Sequence, residues 1–99
     1  MLIFNGILND NGSDKKIILF LEDNTNFPYT SDCYINNVRV NINMDNNICT
    51  IQNTKYEYYI KKYDDELLLV GKEIGNFFHY VLSCFYKQNF FVLTNKDEV

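Results

Sequence analysis

The chain predicts an α+β fold: an antiparallel, curved or barrel-like sheet of about six or seven strands with one C-terminal amphipathic helix. Three observations predict it. From Cys33 to Val70, short apolar runs alternate with polar turns. The hydrophobic period then changes to a helical one over Ile74–Phe85. The composition has no Ala but many β-branched and aromatic residues, which disfavours an all-helical bundle.

The elements follow in order. Leu2–Leu8 reads as a first strand and Lys16–Leu21 as a second. Between them, Asn11-Gly12 is a tight-turn dipeptide, so the two strands form a hairpin. The run Ile17-Ile18-Leu19-Phe20-Leu21 is continuous rather than alternating, which calls for cover on both faces. Glu22–Asp32 is the least regular stretch and holds the single proline, Pro28. It reads as a loop with a short extended piece.

Four further strands follow as a meander. Val38, Val40 and Ile42 share one face, with Asn37, Arg39, Asn41 and Asn43 on the other. Asp45-Asn46-Asn47 turns the chain into Ile48–Gln52, and Asn53-Thr54 turns it again. In Lys55–Tyr63, Tyr56, Tyr58 and Ile60 alternate with Lys55, Glu57, Tyr59 and Lys61. Asp64-Asp65 leads into Glu66–Val70, which Gly71 ends.

Ile74, Phe77, Phe78, Val81, Leu82 and Phe85 then recur at helical spacing, the stripe of an amphipathic helix laid on the sheet. Gly75 and Asn76 are candidate caps. Phe90–Leu93 returns as an extended segment, and Asn95–Val99 is a polar tail.

At 99 residues the chain is long enough for one domain, residues 1–99, and too short for two cores. The abundance of Asn, Ile, Lys, Tyr and Phe is the bias of an AT-rich coding genome, such as that of a bacterium, its phage or a large DNA virus. A net charge of −4 lacks the basic footprint of a nucleic-acid binder and suits a basic partner surface. Met1–Gly6 lacks the basic and apolar regions of a signal peptide, and no apolar run reaches membrane-spanning length, so a cytoplasmic location is expected. Cys33, Cys49 and Cys84 lie in apolar runs without metal-ligand spacing and read as packing residues.

Chemistry-bearing patterns are sparse. The single histidine, His79, and Cys84 are five residues apart on the expected helix, about 140° around its axis, too divergent for a catalytic pair. The four glycines are scattered and form no phosphate cradle. Asp10-Asn11-Gly12-Ser13-Asp14 lacks the closing glutamate of a calcium loop. No catalytic residue, metal site or cofactor is therefore expected, and no motif assigns the chain to a family.

Protein recognition is the leading expectation. Tyrosine supplies rigid amphipathic contact area, and the chain has eight. Tyr59 and Tyr63 lie beside Asp64, Asp65 and Glu66 as an aromatic and acidic contact patch, with Glu22 and Asp23 as a second set. Such a patch fits a small acidic inhibitor that occludes a basic site on a nuclease, a toxin or a defence complex, in the manner of an immunity or anti-defence protein. The alternative is an assembly subunit that pairs with itself through an exposed strand edge at Phe90–Leu93. A nucleic-acid or small-ligand barrel is the third expectation, with Tyr59 as its stacking residue.

Overall fold

Left-handed turn residues set the architecture. In the computed structural model, which describes residues 2–21, 29–74 and 88–95, Asn11-Gly12, Asn36-Asn37 and Gln52-Asn53 each place two successive residues at positive φ. Two such residues make the type I′ turn, whose twist matches that of paired strands. Asn11-Gly12 joins β1 (Leu2–Asp10) to β2 (Ser13–Leu21). Asn36-Asn37 joins β3 (Tyr29–Ile35) to β4 (Val38–Met44), and Gln52-Asn53 joins β5 (Ile48–Ile51) to β6 (Thr54–Tyr63). Asp64, also left-handed at φ 50°, turns β6 into β7 (Glu66–Glu73). The last strand is β8 (Phe90–Asn95).

The eight strands form a closed antiparallel barrel in sequence order. Closure comes from β8, which pairs with β7 on one side and with β1 on the other, in register Leu8↔Phe91 and Gly6↔Leu93. Alternate residues of every strand point inward. Phe4, Leu8, Ile17, Leu19, Cys33, Ile42, Met44, Cys49, Leu69, Phe91 and Leu93 are fully buried and fill the barrel axis. Removing one such large apolar side chain from water contributes roughly 1.5–3 kcal/mol before chain entropy is counted. Burial holds both thiols neutral, pushing Cys33 up to about 11 and Cys49 up to about 12.

This architecture corrects the expected α+β class. The described residues form an all-β closed barrel of eight strands, with no helix among them, in place of a curved or barrel-like sheet of about six or seven strands with a packed C-terminal helix. The helical pattern from Ile74 to Phe85, with His79 and Cys84, falls almost entirely on residues 75–87, outside the described residues. The first part of β3, residues 29–32, lies where a loop with a short extended piece is expected. Its sequence, Tyr-Thr-Ser-Asp-Cys-Tyr-Ile, is too polar to read as a strand alone, and pairing with both β2 and β4 holds it. Gly71 does not end β7 but sits buried within it, opposite Phe91, whose ring occupies the space a Cβ would need. Val38 and Ile60 occupy inward positions by alternation yet are exposed, because both lie toward a barrel rim.

Antiparallel order sorts the connections to two ends. One end carries the three type I′ turns, the end of β7 with Ile74, and the start of β8 with Gln88. The other carries the strand ends Leu21 and Tyr29, the Asp45–Asn47 turn and the Asp64-Asp65 tip. Among the described residues no helix is long and apolar enough to cross a membrane.

Candidate protein-binding surfaces

The β6–β7 hairpin is paired without a break from Tyr56↔Glu73 to Tyr63↔Glu66. Its tip therefore presents Tyr63, Asp64, Asp65 and Glu66 from two continuous strands. Tyr63 is 56% exposed, Asp64 and Asp65 are exposed, and Glu66 is half-buried. None of these three carboxylates has a hydrogen-bond or ion-pair partner among the described residues, so their charge faces solvent. Asp45, exposed in the β4–β5 turn, lies at the same end of the barrel. Glu22 and Asp23 are outside the described residues; the strand ends that flank them, Leu21 and Tyr29, belong to this end.

Tyr59 does not join that tip. It lies four residues back along β6, about 13 Å at strand rise, on the outer wall of the barrel. Lys61 lies over its ring, with the ammonium 5.2 Å from the centroid. The expected aromatic and acidic patch is thus two features: a tip carrying Tyr63 and the acids, and a wall carrying Tyr59.

Strand pairing assembles that wall from outward residues far apart in sequence. Tyr59 pairs with Val70, Val70 with Val92, and Val92 with Ile7, giving one transverse row across β6, β7, β8 and β1. Tyr59 is 51% exposed, Ile7 43% and Val92 39%, with Phe90 beside them at 45%. Between Tyr59 and Phe90, above Val70 and Gly71, runs a groove of about 380 Å³ edged by Glu57, Lys72 and Gln88. Sequence reasoning missed this wall. The available signal was the continuous character of Leu67–Val70 and Phe90–Leu93, in which successive residues supply apolar groups to both faces.

A polar cluster closes the barrel at the opposite end from the acidic tip. Asn89, only 6% exposed, accepts from the backbone N–H of Asn11 at 2.9 Å and donates to Asp10 at 3.2 Å. Its own backbone N–H donates to the Glu73 carboxylate at 3.1 Å. Lys15 pairs with Asp10 at 2.7 Å. Tyr56 reaches the same cluster; burial pushes its phenol up to about 12, against the opposing effect of its hydrogen bond with Asn89. Every buried side-chain polar atom among the described residues has a partner, so these groups are spent in holding the barrel seam.

Other functional patterns are not assembled. Among the described residues no three His, Cys, Asp or Glu side chains converge as metal ligands. The single arginine, Arg39, is held by Asp32 at 2.8 Å. β8 has neighbours on both sides, which leaves no free edge at Phe90–Leu93. Comparison of the chain with protein-family models, curated proteins and solved structures returned no match.

Proposed function

We propose that the protein is a non-enzymatic acidic inhibitor that occludes a basic site on a protein partner with the acidic end of its barrel. The observation that supports this most is the β6–β7 tip, where Asp64, Asp65 and Glu66 stand unpaired beside exposed Tyr63 on a fully paired hairpin. A rigid mount limits the ordering cost of binding, and the clustered charge steers a basic partner. Tyr63 supplies the amphipathic contact that charge alone lacks. Nucleases, toxins and nucleic-acid-handling defence complexes carry basic substrate sites of the kind such a tip blocks, as an immunity or anti-defence protein does. The expected compartment is the cytoplasm of the producing or host cell.

The test is affinity capture from host lysate with and without nuclease treatment, comparing wild type with the triple variant D64K/D65K/E66K. A nuclease-resistant protein captured by wild type, bound at least about tenfold more weakly by the triple variant and more weakly as salt rises, supports the reading. Equal affinity of the triple variant for that protein removes the tip from the interface. Loss of all captured material on nuclease treatment would replace an inhibitor of proteins with a nucleic-acid binder.

A further inference from the structure

We propose that β6 carries an open strand edge, Tyr59–Tyr63, that takes an extended acidic segment of a partner protein as an added strand. The proposal rests on backbone pairing and on the lysines of that edge, not on the carboxylates of the tip. β5 is only four residues long, and its pairing with β6 stops at Ile48↔Glu57. β6 continues to Tyr63 and stays paired with β7 throughout. Residues 59–63 therefore run about 17 Å past the end of β5, with a neighbouring strand on one side only among the described residues.

The direction of the backbone groups shows which are free. The N–H of Tyr58 donates to Asn47 at 3.0 Å, on the β5 side, whereas the carbonyl of Lys55 accepts from Ile74 at 2.9 Å, on the β7 side. Backbone groups alternate sides along a strand, so Ile60 and Lys62 turn both N–H and C=O toward the side that β5 has left. Among the described residues these four groups have no hydrogen-bond partner. All five residues from Tyr59 to Tyr63 are exposed, Ile60 included, although it shares a face with buried Tyr56 and Tyr58. An added strand completes the ladder and covers Ile60.

Charge decides the occupant. A second copy pairing antiparallel about a two-fold axis sets lysine against lysine when the axis passes through Lys61 or Lys62. An axis through Tyr59 or Ile60 brings the added strand onto Tyr58, whose N–H is already bonded to Asn47. Lysines on an open edge thus oppose self-pairing, and the same lysines attract carboxylates. In an antiparallel partner segment, acidic residues lie opposite Lys61 and Lys62, an apolar residue opposite Ile60, and β-branched residues opposite Tyr59 and Tyr63. Asp64 and Asp65 lie beyond this stretch in the turn, and Glu66 lies on β7, so none of them stands opposite the added strand.

The probe is the acetylated and amidated peptide Thr-Val-Glu-Glu-Ile-Val-Thr, titrated into isotope-labelled protein and followed by nuclear magnetic resonance. The amides of Ile60 and Lys62 are expected to shift most and to gain protection from hydrogen exchange. A peptide with lysine in place of both glutamates is expected to bind at least about tenfold more weakly. Methylating the backbone nitrogen of the peptide's isoleucine, which faces Ile60, is expected to cost about tenfold. Methylating that of its second glutamate, which points away from β6, is expected to leave binding within about threefold. Lys61→Glu with Lys62→Glu changes two exposed side chains and is expected to reverse the preference between the acidic and the lysine peptide. No shift at millimolar peptide overturns the proposal. So does binding indifferent to the glutamates or to the isoleucine methyl, binding centred on other amides, or a double variant that keeps the original preference.

Discussion

The side-chain amide of Asn89, just before β8, donates to the carboxylate of Asp10 at the end of β1, 3.2 Å away and 79 residues apart in the chain. The same amide accepts from Asn11, and together these bonds fasten the last strand to the first. Asn89→Ala is expected to cost about 2–4 kcal/mol, since it deprives several partly buried groups of their partner at once. Asn89→Asp keeps the acceptor for Asn11 but sets a third carboxyl between Asp10 and Glu73. It is expected to destabilise as much at neutral pH and to recover stability as pH falls and that carboxyl takes a proton. Urea unfolding of both variants at two pH values checks this; an Asn89→Asp midpoint with the pH dependence of wild type counts against the seam.

Gly6 and Gly71 make room for the strands that close the barrel. A Cβ at Gly71 overlaps the ring of Phe91, and one at Gly6 overlaps the backbone carbonyl of Val92. A side chain has more freedom to yield than a paired backbone. Gly71→Ala is therefore expected to cost about 1–3 kcal/mol, and Gly6→Ala more. Adding Phe91→Leu to Gly71→Ala is expected to recover part of the loss, a non-additivity that denaturation of the two singles and the double reads directly.

At the β5–β6 turn, Gln52 and Asn53 adopt φ of 49° and 67°. Asparagine tolerates the left-handed region better than glutamine does. Replacing the pair with Asn-Gly is expected to stabilise the protein by about 0.5–1 kcal/mol and to raise its thermal midpoint. No gain in midpoint would mean that the barrel already compensates this turn.

Alkaline pH should unfold the protein early. Burial raises Cys33 from 9.0 to about 11 and Cys49 from 9.0 to about 12, and it raises Tyr56 from 10.0 to about 12. Between the unfolded and folded values the native state holds protons that the unfolded chain has released. Stability is then full below about pH 9 and falls as pH rises toward the folded values. Urea midpoints should decline steadily from about pH 9 upward, and Cys33 and Cys49 should react slowly with thiol reagents until the protein unfolds. A flat midpoint over that range would contradict the burial of these groups.

Much of the meander was legible because it depends on short-range patterns. Alternation in β4 and β6 shows which side chains turn inward, and Asn11-Gly12 announces its hairpin without help from the rest of the chain. β3 was not legible, because Ser31 and Asp32 make its sequence look like a loop; Ser31 is satisfied by donating to the Phe20 carbonyl at 2.8 Å on the neighbouring strand. The acidic tip was legible as a run of charges at a turn. The apolar wall was not, because Tyr59, Val70, Val92 and Ile7 meet only through three strand pairings.

By itself the sequence determined a strand-rich chain, the turns that punctuate it and most of the inward-facing residues, since these follow from the alternation of side chains along a strand and from the few residues that accept positive φ. Only the tertiary structure decided that the sheet closes, that Gly6 and Gly71 serve that closure, and that Tyr59 belongs to a wall rather than to the tip. Closure pairs β1 with β8 across most of the chain, and no local pattern records which distant strand a given strand will meet.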